Sequence, residues 1–320
     1  MTATSKPNEI AIHRVYDAPV QVVWDAWTDP AQTALWWGPR GFTTTTHSKD
    51  LRVGGHWTYT MHGPDSTDYP NNTRYHEVVP NAKLVYDHGA VDDRPPLFRV
   101  TVVFAEIDGK THMDMTMALD SAEAATNTRK FIKQVGGNST WDRLAEYLCQ
   151  RQTSEEKFVI NRSFDAPLEL MFDMWSKPEH FSRWLAPTGF TMRYIRADIR
   201  SGGSSMYCMS GPNVTMYGRA QYEEVRRPDR LVYTQQFCDE HENVTRHPMA
   251  PLWPETMRST VQLTAEGPQC TRVTITWEVV GPVRPEEMAV FIEGRAGMTQ
   301  GWTGSLDKLE DVLAADTASA

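Results

Sequence analysis

The chain repeats itself. Shifting its 320 residues by 148 positions brings Trp27 onto Trp175, Pro30 onto Pro178, Trp36 onto Trp184 and Pro39 onto Pro187. Asp17-Ala18-Pro19 meets Asp165-Ala166-Pro167, Gly41-Phe42 meets Gly189-Phe190, and Gly54-Gly55 meets Gly202-Gly203. Further on, Leu84-Val85-Tyr86 meets Leu231-Val232-Tyr233 with the offset slipped by one. A period near 150 residues is too long for a solenoid unit, so each copy should be a domain with its own core. The expected domains are residues 1–150 and 156–315, joined by a short polar linker.

Within each copy the pattern reads strand, two short helices, about six strands and a long helix. Ile10, Ile12 and Val15 alternate with polar neighbours for part of the stretch, as a strand should. Pro19 opens a helical run with Val20, Val23, Trp24 and Trp27 on one face, and Asp29-Pro30 breaks it. Asp108-Gly109 between two alternating runs predicts a hairpin. Residues 62–72 are expected to form a polar loop. From Ser121 to Arg151 the spacing is helical, with a kink expected at Gly136-Gly137. The second copy should end in a helix over about 285–314. The expected fold class is α+β: two tandem domains, each an antiparallel sheet of six to seven strands wrapped around a long C-terminal helix. The Pro- and charge-rich stretch 238–255 is longer than its counterpart. It is expected to be a surface loop and a candidate lid or domain contact.

Composition removes several function classes. Net charge is −9 and neither half has a basic excess, which argues against nucleic-acid binding. No apolar run is long enough for a membrane helix, and the first residues, MTATSKPNEI, do not read as a signal peptide. Cys149, Cys208, Cys238 and Cys270 show no CxxC spacing and read as reduced thiols of a cytoplasmic protein. Seven of the ten histidines fall in the first copy, scattered and without an HExxH motif, so neither a metal site nor any other cofactor is expected. There is no phosphate loop and no GxSxG elbow. Glu77 and Glu224 occupy matching positions. They are either acid/base groups at a pocket mouth or partners of a nearby arginine such as Arg52 or Arg99.

The aromatic residues are the remaining signal. Trp27 and Trp36 recur in both copies and read as core, while Trp37 is matched by Leu185 and Trp24 by Phe172. On the strands, alternation puts Trp57 and Tyr59 on one sheet face, and Tyr75, Tyr86 and Phe98 are expected to look the same way. Met206, Tyr217, Tyr222, Tyr233 and Trp277 are the comparable set in the second copy. A face rich in Tyr and Trp offers apolar area with a few hydrogen-bonding tips, as a small-molecule pocket does. The expected ligand site is in the first domain, between these strand residues and Phe131 of the terminal helix, with no catalytic residue assigned.

The stretches DAPVQVVWDAWTDPAQTALWWGPRGF and EVVPNAKLVY, with DAPLELMFDMWSKPEHFSRWLAPTGF, EEVRRPDRLVY and GWTGSLDKLEDVL in the second copy, carry a resemblance. They resemble the helix-grip superfamily called SRPBCC or START-like, related in fold to the birch-pollen allergen. Within it they are most similar to proteins related to the activator of the heat-shock-protein-90 ATPase. The resemblance implies a fold, twice over. It leaves three functional classes open: a carrier of small hydrophobic or aromatic molecules, a cyclase, aromatase or hydrolase acting on an aromatic or polyketide-like substrate, and a chaperone-interacting module. In the eukaryotic co-chaperone a separate N-terminal domain, with an Asn- and Trp-rich motif, engages the chaperone, and neither copy resembles that domain.

Overall fold

The computed structural model describes residues 6–89, 95–134, 136, 138–152, 156–187 and 189–318. The chain divides into two compact units, Met1–Gln152 and Thr153–Ala320.

The first unit runs β1 (Glu9–Tyr16), α1 (Val20–Thr28), α2 (Pro30–Trp36), β2 (Thr43–Lys49), β3 (His56–His62), β4 (Asp68–Val79), β5 (Lys83–His88), β6 (Phe98–Ile107), β7 (Lys110–Ala118), α3 (Ala122–Gln134) and α4 (Ser139–Gln152). The second runs β8 (Phe158–Phe164), α5 (Leu168–Ser176), α6 (Pro178–Trp184), β9 (Thr191–Ala197), β10 (Ser204–Ser210), β11 (Thr215–Arg226), β12 (Arg230–Cys238), β13 (Met257–Gly267), β14 (Cys270–Val279), α7 (Pro285–Glu293) and α8 (Arg295–Ala318). Each unit forms one seven-stranded sheet, in the orders β1-β7-β6-β5-β4-β3-β2 and β8-β14-β13-β12-β11-β10-β9. All of the pairings are antiparallel. This is the α+β tandem arrangement that the duplicated pattern implies.

Local chemistry explains the shared elements. Pro30 sits in the first turn of α2, and the Asp29 carboxylate caps that helix by accepting from Ala31 N–H at 2.9 Å. Trp36 is fully buried and donates its indole N–H to Ala26 O at 2.9 Å. Trp184 does the same to Met174 O at 3.0 Å, so the two copies keep one helix-to-helix bond at one offset. The paired glycines are dictated by backbone crowding. Gly54 and Gly202 have φ of +80° and +79°, and a Cβ on Gly55 or Gly203 would sit 2.2 Å from the carbonyl of Asp50 or Asp198.

Three boundaries differ from the sequence reading, the first being that the helix expected over about 285–314 is two, α7 and α8, separated at Gly294. The loop expected over 62–72 is shorter, because β3 runs through His62 and β4 already begins at Asp68, its partner. Gly63 N–H bonds Thr67 O, and Ser66 takes the positive φ of 65° that closes the turn. The single helix expected over 121–151 is two, α3 and α4. Gly136 between them has φ +66°, a left-handed conformation that ends a helix rather than bending it. Its expected partner in the kink, Gly137, lies outside the described residues, as do most of the polar linker and residues 90–94.

On α4, Trp141, Leu144 and Leu148 share a face and pack with Val100, Val102, Phe104 and Met113 of the sheet. On α8, Trp302, Leu306, Leu309 and Leu313 do so against Val261, Leu263, Val273 and Ile275. The two helices are held by matching cations at their sequence-equivalent positions. Arg143 donates to the carbonyls of Gly38 and Pro39 at 2.7 and 3.0 Å, and Lys308 to those of Ala186 and Pro187 at 2.6 and 3.0 Å. This correspondence sets Trp141 opposite Leu306.

Candidate functional site

In the first unit four of the expected site residues, Trp57, Tyr59, Tyr75 and Tyr86, are buried in one core cluster. Trp57 and Tyr59, two apart on β3, stack with centroids 4.0 Å apart. Trp37 stands edge-on to both, at 5.0 and 6.2 Å. Trp27 stacks on Trp141 at 5.5 Å with an interplanar angle of 10°. Trp37 also contacts Trp27 and Trp141, at 5.5 and 6.0 Å. Beneath them Lys49, at the end of β2, donates to Trp27 O at 2.7 Å and to Thr33 Oγ1 at 3.1 Å. Its ammonium lies 4.1 Å above the Trp57 ring, and burial pushes its pKa down to about 7. Tyr75 and Tyr86 pair at 6.1 Å, and burial raises both phenols above the ordinary tyrosine range.

The tryptophan-rich stretch of the first copy is therefore an aromatic core. Trp57 and Tyr59 retain 4% and 1% of their accessible surface, because Trp37 and Trp141 occupy the space a ligand would take. Phe98 is half-buried and stacks on His88 at 4.8 Å. Phe131 does not face the interior and is 60% exposed. Ala125 and Ile132 carry the packed face of α3, and Phe131, one residue before Ile132, is turned about 100° away from it.

The second unit replaces the three bulky positions. Leu185 stands where Trp37 does, Ser205 where Trp57 does, and Leu306 where Trp141 does. A cavity of about 310 Å³ lies between sheet and α8 in this unit. Its floor is Tyr207 and Met209 of β10 with Tyr233, Gln235 and Phe237 of β12, residues that alternate onto one sheet face. Trp277 of β14, Met257 of β13, and Met298, Gly301, Trp302 and Ser305 of α8 close it from the sides. Trp302 stacks on Trp175 at 6.0 Å and meets Trp277 edge-on at 5.5 Å. One helical turn before Leu306, it supports the same helix tryptophan as Trp141 does, from a position that leaves the cavity unfilled.

Residues 239–256 form the remaining wall, contributing His247, Trp253, Pro254 and Glu255. The segment is tied down at several points. Asp239 accepts from the backbone of His241 and Asn243, at 2.9 and 2.8 Å. Arg246 reaches the buried carboxylate of Glu287 on α7 at 2.9 Å, and Trp253 packs on Phe291 at 5.8 Å. His247 lies against Phe237 at 4.6 Å, and its Nδ1 accepts from Met249 N–H at 3.1 Å, which assigns the ring proton to Nε2. Burial lowers its pKa, so the ring stays neutral.

Of the second-copy residues expected at the site, Tyr217, Tyr233 and Trp277 line the cavity. Tyr222 lies one layer away, its hydroxyl 3.2 Å from Ser205 and its ring 5.6 Å from Tyr233. Met206 is buried on the opposite sheet face, because the alternation that brings Tyr207 and Met209 inward turns it outward. Tyr207 and Leu185 had a sequence signal, being the copies of Tyr59 and Trp37. His247 and Trp253 had none, since their segment is longer than its counterpart and the added residues match nothing in the first copy. Glu77 and Glu224 are ion-paired away from the cavity, Glu77 with Lys83 at 2.8 Å and Glu224 with Arg230 at 2.9 Å. Arg52 and Arg99 pair instead with Asp50 and Asp87. Among the described residues no three His, Cys, Asp or Glu side chains converge as a metal site would require, and no helix is long and apolar enough to cross a membrane.

None of the curated proteins matches the chain. Similar solved structures include a crystal structure of a protein from Nitrosomonas europaea, 20% identical over 47% of this chain and 99% of that one, with a TM-score of 0.43. Another is the solution structure of an AHSA1-like protein from Aeromonas hydrophila, 22% identical over 45% of this chain and 94% of that one, TM-score 0.37. A third, the di-domain ARO/CYC protein BexL, is 13% identical over 95% of this chain and 97% of that one, TM-score 0.39. The sequence profile of the Activator of Hsp90 ATPase homolog 1-like proteins matches twice, over residues 17–149 and 165–314, and the chain belongs to that family.

Proposed function

We propose that the second unit binds a small hydrophobic, aromatic molecule in the cavity between its sheet and α8. One observation carries this reading: the duplicated fold is filled by Trp37, Trp57 and Trp141 in one copy and left open, with aromatic walls, in the other. A volume of about 310 Å³ suits a ligand of two or three rings. Burying such a ligand gains about 25 cal/mol per Å² removed from water, enough for roughly micromolar affinity without an ion pair. The walls offer rings, thioethers and neutral polar tips, and no nucleophile–base pair lines them, so binding is favoured over catalysis.

The test is titration of the full chain with β-naphthol, read by tryptophan emission and calorimetry. Trp253, Trp277 and Trp302 flank the cavity and should report occupancy. Leu185→Trp, which restores the residue of the first copy, should abolish binding while the protein stays folded. Binding that survives this substitution unchanged would place the ligand elsewhere.

A further inference from the structure

The charge pattern of the cavity narrows the ligand further, on the premise that the cavity is a binding site. No lysine or arginine is among its lining residues. Its ionisable groups are His247, three tyrosines and Glu255. His247 is held neutral, and burial raises the phenols of Tyr207 and Tyr233. Glu255 is exposed at the rim, where it sets a negative charge at the entrance.

The flanking cations are engaged elsewhere. Arg246 is held by Glu287 at 2.9 Å and lies 4.0 Å from Glu255. Arg219 donates to Gln236 Oε1 at 2.9 Å, and Lys308 is bound to two backbone carbonyls. A carboxylate entering the cavity would lose its water, meet no cation and pass a like charge.

Polar recognition is nevertheless available at one place. Gln235 lies between Tyr233 and Phe237 on the inward face of β12, and among the described residues its carboxamide makes no hydrogen bond. The other carboxamide of the lining, on Gln236, is already used, accepting from Arg219 and donating to Thr256 Oγ1 at 2.9 Å. Gln235 therefore presents one donor pair and one acceptor to whatever fills the space, and His247, also in the lining, has its Nε2–H as a further donor. From these observations we infer that the cavity selects uncharged aromatic molecules carrying a hydroxyl or carbonyl group, and rejects their carboxylate analogues.

Three two-ring probes of similar size separate the possibilities on the full chain at neutral pH: β-naphthol, β-naphthoate and β-methylnaphthalene. β-Naphthol should bind at least about tenfold more tightly than β-naphthoate, a difference of ~1.4 kcal/mol. Glu255→Gln should narrow that gap by strengthening β-naphthoate alone. Gln235→Leu should weaken β-naphthol several-fold and leave β-methylnaphthalene unchanged. If β-naphthoate binds as well as β-naphthol, and Leu185→Trp removes both, charge selection is overturned while the cavity remains the site. Equal effects of Gln235→Leu on β-naphthol and β-methylnaphthalene overturn the polar contact. If no probe binds below millimolar, the cavity is not a ligand site and this inference goes with it.

Discussion

Leu185 holds in the second unit the place that Trp37 holds in the first, and the two side chains meet opposite surroundings. Trp37 lies 5.0 Å from the Trp57 ring and closes an aromatic core, whereas Leu185 borders a cavity of about 310 Å³. Across the sheet Trp57 is answered by Ser205, so the exchange is paired: where one copy puts two indoles in contact, the other has an isobutyl group and a hydroxymethyl. The duplicated fold thus carries an aromatic cluster at a place where its second copy has smaller side chains beside a cavity.

The first prediction reverses this exchange in the first unit. Trp37→Leu should destabilise it by roughly 2–4 kcal/mol, near the range for large-to-small core substitutions. Trp57→Ser should also destabilise it, and the double variant should cost less than the sum, because the rings contact each other. Denaturant unfolding of the three variants measures the coupling. Strict additivity would show that the two rings are stabilised independently.

A second prediction concerns Lys49. Its pKa in the folded protein is pushed down to about 7 from an ordinary 10.5, so between these values the unfolded chain holds a proton that the folded chain does not. Stability of the first unit should therefore rise with pH across that window, and below it the cost of the buried charge is constant. The raised phenol pKa values of Tyr59, Tyr75 and Tyr86 act oppositely above about pH 10, where unfolding is favoured by tyrosine ionisation. The measurement is the difference in unfolding midpoint between the natural protein and Lys49→Met from neutral to mildly alkaline pH. A difference that does not change with pH would remove Lys49 as the cause.

How much of this was legible in the sequence follows from the kind of interaction involved. The duplication, the two α+β units and the strand alternation are local or periodic properties, and they can be read from spacing. Whether an inward aromatic face is filled depends on a third element crossing it. Trp57 and Tyr59 look the same in sequence whether Trp37 and Trp141 lie over them or not, so spacing gives the face they share but not what covers it. Phe131 was misjudged because the helix was read as continuous through Gly136, which loses the phase of α3. Met206 failed by one residue of register, which is enough to change the face of a strand. The wall made by His247 and Trp253 is fixed by Glu287 and Phe291, contacts between segments about forty residues apart that no local pattern records.

A third prediction addresses that wall. Arg246→Ala removes the ion pair to Glu287, whose side chain is only 4% exposed and then keeps Arg284 as its partner at 2.7 Å. Amide exchange should accelerate over 239–256 and remain unchanged in β13 and β14, since those strands pair independently of the segment. Affinity for β-naphthol should fall several-fold. Acceleration spread evenly over the whole second unit would instead mean that the ion pair supports the entire domain.

The last prediction separates stability from binding at a single position. Gly301 lies within α8 on the cavity wall, and a Cβ added there would meet nothing within 4 Å. A glycine in a helix interior costs about 1 kcal/mol relative to alanine. Gly301→Ala should therefore stabilise the second unit by up to about 1 kcal/mol, visible as a higher unfolding midpoint. A larger side chain enters the cavity, so Gly301→Leu should keep the fold and lose β-naphthol binding at least about tenfold. The opposite signs matter, because a variant that is as stable as the natural protein or more so, yet does not bind, cannot owe its loss to unfolding. If Gly301→Leu binds the probe as well as the natural protein does, the ligand does not occupy the space beneath α8.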